Sequence, residues 1–208
     1  MTAIHQEARA GDHQEAEEGR RERKKHATRR ALQDAALALA AARGPDHVTV
    51  EAISEAADVS PRTFFNYFSC KEEALVGEPP ALGQRLRAVL ETAPPGTPIA
   101  SAVRTVVRQV AAESAERKDE LLTRKRIVAE CPALLPRHHA AFSARERELT
   151  AAIASHLGTD PETDIYPALL AAVSATALRV AFQRWDGQAG HRLEGLVDQA
   201  FDILERGI

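Results

Sequence analysis

Residues 49–75 constrain the fold more than any other part of the chain, and their sequence is TVEAISEAADVSPRTFFNYFSCKEEAL. Thr49 is a favoured helix N-cap. Ser60 is a second one, followed by Pro61 at the first helical position, where its missing N–H costs no hydrogen bond. Asp58 and the valine after it leave room for only a short turn between the two helices. The pattern predicts two short helices joined by a tight turn, which is a helix-turn-helix.

The second of these helices has one apolar and one polar side. Phe64 and Phe68 are four positions apart, so they share the face that packs on the rest of a small domain. On the opposite side, an arginine can donate two hydrogen bonds to guanine and an asparagine can pair with adenine in the major groove. The side chains predicted to reach base edges are Arg62, Thr63 and Asn66.

Three further side chains of this segment are placed to hold DNA phosphates. Hydroxyl and N–H groups at helix N-termini favour phosphate oxygens, and such contacts set docking geometry rather than sequence preference. These predicted phosphate contacts are Thr49, Ser60 and Lys71. Plain helix capping, which stabilises by about 1 kcal/mol, is the competing interpretation for Thr49 and Ser60.

A basic cluster precedes the first helix of this domain. Residues 1–19 carry five acids against one arginine and lack apolar periodicity, so residues 1–20 are predicted to be a disordered acidic tail. The first helix is expected to run from near Lys25 or Thr28 to Arg43. The cluster is placed to follow the DNA backbone or enter the adjacent minor groove, although a charge run can equally be a solvated tail. Its members are Arg20, Arg21, Arg23, Lys24 and Lys25.

The chain from residue 78 to 208 predicts a larger helical domain. Apolar residues recur at helical spacing near residues 81–92, 98–116, 117–130, 137–157, 162–186 and 191–206, with no convincing strand or repeat. Gly77 and the Pro79–Pro80 pair mark its boundary with the helix-turn-helix domain, which spans residues 21–77. The larger domain is close to neutral in charge, so it is not expected to bind nucleic acid.

Composition narrows the class of protein. A chain of 208 residues, 44% of them hydrophobic, supports a soluble globular protein with a real core. Two cysteines far apart, no signal peptide and no run of ~18 to 20 apolar residues predict a cytoplasmic protein without disulfides or a membrane span. Metal-binding, nucleophile and phosphate-loop motifs are absent, so no enzyme, metal or cofactor is expected.

The stretch 28–75 resembles the DNA-binding domain of the TetR (tetracycline repressor) family of transcriptional regulators. The likeness rests on the Ala-rich first helix, on Thr49-Val50 and Ala56-Ala57, and on Val59-Ser60, Thr63-Phe64, Tyr67-Phe68 and Lys71. The resemblance implies an all-α homodimer, most often a repressor, that binds a pseudo-palindromic operator in double-stranded DNA. It also implies that the variable C-terminal domain binds a small-molecule effector, which relieves repression.

Three positions depart from the family's pattern. Phe65 stands where tyrosine is usual, which removes a phenolic phosphate contact, so the resemblance implies that Tyr67 with Lys71 carries more of that role. Asp58 stands where glycine is usual, and aspartate tolerates left-handed backbone better than most residues. Cys70 stands at a helix-capping position, where a redox switch is one interpretation; a small residue that simply fits is the plainer interpretation.

The predicted helix over 162–186 is apolar on two faces. One face carries positions 165, 169, 172, 173, 176 and 180, and the other carries 170, 171, 177, 178 and 181. Such a helix needs partners on two sides. The resemblance implies that this helix and the last helix pack against the same two helices of a second subunit. A fully buried central helix is the alternative. Two-fold symmetry would place the two recognition helices, which are the second helices of the two helix-turn-helix motifs, roughly 34 to 36 Å apart. The interface is assigned to Leu170, Ala177, Leu178, Ala181, Leu193, Leu196, Val197 and Ala200.

A mostly apolar effector, for example an acyl compound, is expected to bind inside the larger domain. The basic tract 123–126 is a candidate for holding an acidic head group, or else a solvated face. The predicted pocket lining is Val103, Val106, Val107, Val110, Leu122, Arg126, Phe142 and Tyr166, although residues of these types are core more often than ligand contacts.

Two other classes of function stay open on sequence grounds. A helical sensor or protein-interaction module would carry the helix-turn-helix only as a weak or vestigial DNA binder. A helical-bundle enzyme would need a catalytic constellation. The outward side of the recognition helix discriminates between the regulator and the sensor, because only a regulator needs selective base contacts there.

Overall fold

A computed structural model of the chain describes residues 3–77, 80–188 and 190–207, with the backbone alone for residues 3–18 and 22. Within these ranges every regular element is a helix, which confirms the predicted all-α fold. Two compact units are formed, residues 1–77 and 78–208. The α-helices are α1 (Ala3–Arg43), α2 (Val50–Ala56), α3 (Pro61–Phe65), α4 (Lys71–Val76), α5 (Leu82–Thr92), α6 (Ile99–Glu116), α7 (Lys118–Glu130), α8 (Leu135–Leu157), α9 (Ile165–Arg184) and α10 (Leu193–Arg206), and short 3-10 turns lie at Pro45–His47 and Pro132–Leu134.

Helices α1 to α4 pack around one small core in the N-terminal unit. Each helix contributes apolar side chains at helical spacing: Leu32 of α1, Ile53 of α2, Phe64 of α3 and Leu75 of α4 are fully buried. The rings of Phe64 and Phe68 lie 5.4 Å apart, as the predicted buried pair requires. This core fixes the position of α3, whose other side is left for binding.

The turn between α2 and α3 follows the predicted chemistry. Thr49 Oγ1 accepts a hydrogen bond from the Ala52 N–H at 3.2 Å, and Ser60 Oγ accepts one from the Thr63 N–H at 3.1 Å, so both act as N-caps. Asp58 has a φ of 53°, the left-handed conformation that glycine adopts most easily. Aspartate therefore holds the turn at a position where a bulkier or β-branched residue would be strained.

The N-terminal end of α1 differs from the prediction. The helix begins at Ala3 rather than near Lys25 or Thr28, and it occupies the region where the sequence predicts a disordered tail. Residues 3–27 contain no proline and are rich in Ala, Glu, Gln and Arg, which have high helix propensity. Apolar periodicity marks only the packed part of a helix, so it misses an extension without an apolar face. Met1 and Thr2 lie outside the described residues.

Helices α5 to α10 build the C-terminal unit around a second core. Their bounds agree with the predicted ranges to within three residues at each end. Val103 and Val107 of α6, Ile153 of α8, Ala171 of α9 and Val197 of α10 are all fully buried. These residues belong to one continuous apolar cluster, which makes α6 a central helix of the unit.

Charged side chains tie α5 to α6 and α7 to α9. Arg85 donates to both carboxylate oxygens of Glu113, at 2.6 and 2.7 Å, and this hydrogen bonding raises the pKa of Arg85 and lowers the pKa of Glu113. Lys125 Nζ donates to the carbonyl oxygens of Gln183 at 2.7 Å and Trp185 at 3.2 Å. Lys125 therefore caps the C-terminal end of α9, where the helix dipole favours a positive charge.

Helix α9 is unusually apolar. Among the described residues it is the one helix that is long and apolar enough to cross a membrane, with a mean hydropathy of 1.6. A count of uninterrupted apolar residues misses this helix because Ser174, Thr176 and Arg179 break the run. Only 33% of its most apolar window is buried within the chain. The core helix of a soluble protein can have the same length and hydropathy. The two faces of α9 must therefore be considered separately.

Candidate nucleic-acid interface

Helix α3 presents an outward polar face, as its sequence predicts. Phe64 and Phe68 are buried, whereas Arg62, Phe65 and Asn66 are exposed. At 100° per residue, positions 65 and 66 lie within about 60° of position 62 around the helix axis, so the three exposed side chains share one face. This face combines a cationic fork, an amide and a phenyl ring.

The hydroxyls assigned to bases and phosphates also cap helices. Ser60 Oγ lies 2.9 Å from Thr63 Oγ1, in addition to the cap that it provides for α3. Thr49 and Ser60 are both exposed at the N-termini of α2 and α3. A hydroxyl has one donor and two acceptor lone pairs, so capping leaves each of them capacity for a phosphate contact. Capping is thus an actual role of Thr49 and Ser60, and phosphate binding stays a prediction.

Lys71 has a structural role that the sequence does not reveal. Its ammonium donates to the carbonyl oxygens of Val48 at 2.8 Å, Pro45 at 3.3 Å and Asp46 at 3.4 Å. The half-buried side chain therefore joins the start of α4 to the turn that precedes α2. These acceptors lie 23 to 26 positions away along the chain, so no local pattern signals the contact.

Arg29 is a positioning residue that sequence reasoning missed. Its Nη1 donates to the Tyr67 carbonyl oxygen at 3.0 Å, and its guanidinium carbon lies 4.6 Å from the centre of the Phe68 ring. Nη2 is 4.0 Å from a carboxylate oxygen of Glu73. Arg29 thereby fastens α1 to the end of α3 and to α4. The sequence signal for this role is spacing. Arg29 precedes the buried Leu32 by three positions, so the two side chains lie on the same face of α1.

The basic cluster lies on the exposed N-terminal part of α1 rather than on an extended arm. An α-helix with its side chains is about 10 to 12 Å across, whereas the minor groove of B-DNA is about 6 Å wide. A helical segment of this width suits the phosphate-contact alternative better than the minor-groove one, and DNA contact by the cluster stays a prediction. The exposed members are Arg20, Arg21, Arg23, Lys24 and Lys25.

The predicted effector-pocket residues fall into two groups. The first group faces the core: Val103, Val106, Val107 and Val110 are buried, and Leu122 and Phe142 are half-buried. Arg126 and Tyr166 are exposed, so the structure does not bring these two into the interior, and the pocket lining as a whole stays a prediction. Helical spacing alone does not tell which residues at the flank of an apolar face reach the core.

The predicted dimer-interface residues lie mainly in the chain's own core. Ala177, Leu178, Ala181, Leu193 and Val197 are buried, and Leu170, Leu196 and Ala200 are half-buried. The opposite face of α9 is the exposed one, with Ile165 at 77%, Leu169 at 54% and Val180 at 39%. The sequence identifies both apolar faces of α9, and five of the eight residues assigned to the interface lie in the chain's own core. The assignment of Leu170, Leu196 and Ala200 stays a prediction. Periodicity cannot distinguish a chain's own core from a partner's surface.

Comparison with known proteins agrees with this architecture. The family model for bacterial regulatory proteins of the tetR family matches residues 32–76, and the model for the MftR C-terminal domain matches residues 97–208. The HTH-type transcriptional regulator TcmR of Streptomyces glaucescens is 35% identical over 195 residues, which cover 89% of this chain and 86% of the relative. The chain belongs to the TetR family. The predicted resemblance is confirmed, and the family is one of transcriptional regulators rather than of enzymes.

Solved TetR-family structures share the fold. FadR of Thermus thermophilus, a transcriptional repressor solved in complex with lauroyl-CoA, has a TM-score of 0.55 and 24% identity, covering 86% of this chain and 94% of its own. The fatty acid degradation regulator FadR of Bacillus halodurans has a TM-score of 0.50 and 18% identity, covering 87% and 96%. At these identities the likeness is one of fold: a helix-turn-helix unit followed by a helical C-terminal domain.

Proposed function

We propose that this TetR-family protein is a homodimeric repressor that binds a pseudo-palindromic operator and is released by a small, mostly apolar effector. The exposed face of α3 is the observation that carries the proposal. Arg62 and Asn66 stand on it, opposite the buried phenylalanines, and neither contributes to the core. Their side chains are the ones best matched to guanine and adenine edges in the major groove. The protein would act in the cytoplasm.

The remaining predicted DNA contacts divide by their chemistry. Thr63 follows Arg62 on α3 and is half-buried, so we assign it to the edge of the base-reading face. Thr49, Ser60, Tyr67 and Lys71 are assigned to phosphates, together with the basic cluster on α1. Phosphate contacts contribute affinity that falls steeply with salt, whereas loss of a base contact changes sequence preference.

The exposed face of α9 supports the homodimer. Three large aliphatic side chains, Ile165, Leu169 and Val180, follow one side of this helix, and Ile203 of α10 is 46% exposed. A soluble chain rarely leaves an apolar face of this length to water, so such a face marks an interaction surface. A second copy of the chain, related by a two-fold axis, would cover it and pair two α3 helices with one palindrome.

The C-terminal core supports the effector class. The buried face of α6 is made of valines, so a ligand that enters between α6 and its neighbours meets mainly apolar surface. The Ser174 hydroxyl on α9 is fully buried, and no hydrogen-bond partner exists for it among the described residues. A mainly apolar interior that contains one buried hydroxyl without a partner among the described residues suits an acyl compound. The Thermus thermophilus FadR complex with lauroyl-CoA is consistent with this class.

The DNA-reading assignment is tested with the double variant Arg62→Ala, Asn66→Ala. Operator affinity is measured against an unrelated duplex at one salt concentration, and the oligomeric state is measured by light scattering. Each good base contact contributes about 1 to 3 kcal/mol, so the double variant should lose at least roughly tenfold in selectivity while its mass is unchanged. A matched control changes Gln84 and Arg87, exposed on α5, to alanine. Unaltered selectivity in the α3 variant would refute the assignment.

The effector class is tested separately. The purified protein is heated with lauroyl-CoA and, in parallel, with free coenzyme A, and release of labelled operator is followed with each compound. Binding to the folded state raises the melting temperature by mass action, so lauroyl-CoA should raise it and release DNA, and coenzyme A should do neither. If coenzyme A raised the melting temperature and released DNA while lauroyl-CoA did neither, the nucleotide rather than the acyl chain would be recognised.

A further inference from the structure

Phe65 is a large apolar side chain on the outward face of α3. It is 58% exposed, the most exposed phenylalanine among the described residues. Its ring meets the buried Phe64 ring edge-on, with centroids 5.5 Å apart and planes at 87°. The ring is thus held in place from one side by the core, while most of its surface faces away from the protein.

Helical geometry places this ring among the base-reading side chains. Phe65 follows Arg62 by three positions and precedes Asn66 by one, and both neighbours are exposed. If α3 enters the major groove, as the proposed function requires, the phenyl ring must enter with them. The ring can neither donate a hydrogen bond to phosphate nor accept one from a base.

The major groove offers one apolar group for such a side chain. Each base pair presents donors and acceptors at its edge, and only thymine adds a 5-methyl group. We propose that Phe65 is a specificity-determining residue whose ring contacts a thymine methyl in each half-site. This inference rests on the proposed function, because it assumes that α3 reads the major groove.

The aromatic residues of α3 and of the turn that follows it have two different roles. Phe64 and Phe68 are buried and hold the N-terminal unit together. Phe65 contributes less to the core, so its exposed surface is available for recognition. Substituting Phe65 should therefore change which operator is bound while leaving the helical content of the unit unchanged.

The test uses deoxyuridine, which differs from thymidine in the base only by the missing methyl group. The operator selected from random duplexes is resynthesised with each symmetric pair of thymines replaced in turn, and binding is measured by fluorescence anisotropy at one low salt concentration. One pair should weaken wild-type binding by about fourfold per half-site, the equivalent of ~0.8 kcal/mol for one buried methyl group. Phe65→Ala should bind the two operators equally.

Two further variants keep the test decisive. Phe65→Leu retains an apolar side chain and should keep part of the discrimination, which covers the case in which the alanine variant folds poorly. Gln84→Ala changes an exposed side chain on α5, outside the base-reading face, and should keep the full thymine preference. The proposal is overturned if wild-type protein tolerates deoxyuridine at every position, or if Phe65→Ala keeps the wild-type discrimination. A wild-type protein without any sequence preference would instead overturn the proposed function itself.

Discussion

Lys71 shows how one side chain can carry both a structural contact and a predicted binding contact. Its ammonium donates to three backbone carbonyl oxygens around the turn before α2, the shortest being the 2.8 Å bond to Val48. A cation at this place satisfies carbonyl groups at the end of the 3-10 turn Pro45–His47. The contact stabilises the loop that sets where α2 begins, whether or not DNA is bound.

Replacing Lys71 by methionine should destabilise the N-terminal unit in the absence of DNA. Methionine keeps much of the side-chain volume but cannot donate hydrogen bonds, so the loss should be about 1.5 kcal/mol, the range for hydrogen bonds from charged groups. Urea denaturation followed by circular dichroism measures it. Lys24→Met, on the exposed part of α1, is the control and should leave the unfolding free energy unchanged. Equal stability of the two variants would contradict the structural role.

The buried Ser174 hydroxyl is predicted to lower the free energy of unfolding. Its oxygen is buried and has no hydrogen-bond partner in the described part of the chain. By contrast, the Ser114 hydroxyl donates to the Val110 carbonyl oxygen at 2.7 Å. Ser174→Ala should therefore raise the unfolding free energy by about 1 kcal/mol, because a buried unpaired polar group is removed. Trp185, the single tryptophan, reports unfolding of the C-terminal unit by fluorescence. Ser114→Ala is the matched control, and a stability loss for Ser174→Ala as large as for Ser114→Ala would contradict the prediction.

At the scale of elements, an ion-pair network joins α6 to α10. Arg104 Nη2 lies 2.9 Å from Asp198 and 2.7 Å from Asp202, and its Nη1 lies 3.3 Å from Glu205. Asp198 also pairs with Arg108 at 3.0 Å. The net result of these contacts is a raised pKa for Arg104, although burial opposes the charge. Three carboxylates of one helix thus converge on a single guanidinium of another.

Arg104→Met should separate the packing of the side chain from its charge. Without the guanidinium, the three carboxylates on α10 repel one another, and the loss should be about 2 kcal/mol. The measurement is urea denaturation followed by Trp185 fluorescence at low and at high salt. The loss should shrink at high salt because exposed carboxylates are screened. Arg87→Met, exposed on α5, controls for general charge effects, and a loss no larger than this control would count against the network.

Local chemistry explains which elements could be predicted from the sequence. The caps Thr49 and Ser60, the left-handed Asp58 and the bounds of α5 to α10 follow from rules that act within a few residues. Lys71 and Arg29 could not be assigned structural partners, because those partners lie far along the chain. The N-terminal extension of α1 has no apolar face, and the two apolar faces of α9 cannot be ranked without knowing what packs on each.

At the scale of the whole molecule, the proposed operator binding requires two copies of the chain. The face of α9 that carries Ile165, Leu169 and Val180 is apolar and exposed, while the opposite face is already used by the chain's own core. One helix-turn-helix unit offers a single reading face, and linking two through a dimer raises overall affinity by about 100-fold or more without any new contact. Operator binding and dimer formation are therefore expected to be lost together.

Leu169→Glu should convert the dimer to a monomer. A carboxylate at the centre of an apolar interface is left unpaired and desolvated, which disfavours association strongly. Light scattering after size-exclusion chromatography should give half the wild-type mass, and operator affinity should fall about 100-fold. Gln84→Glu, exposed on α5, adds the same charge outside the proposed interface and should remain dimeric. A dimeric Leu169→Glu protein would place the interface elsewhere.

Selection of bound sequences from random duplex DNA by the purified protein tests the central claim most directly. The claim is that two copies of the α3 face read one palindrome, with Arg62 and Asn66 making the base contacts. The account predicts enrichment of a motif with two inverted half-sites whose centres are about one helical turn apart, or a multiple of it. Recovery of sequences with no common motif would contradict it.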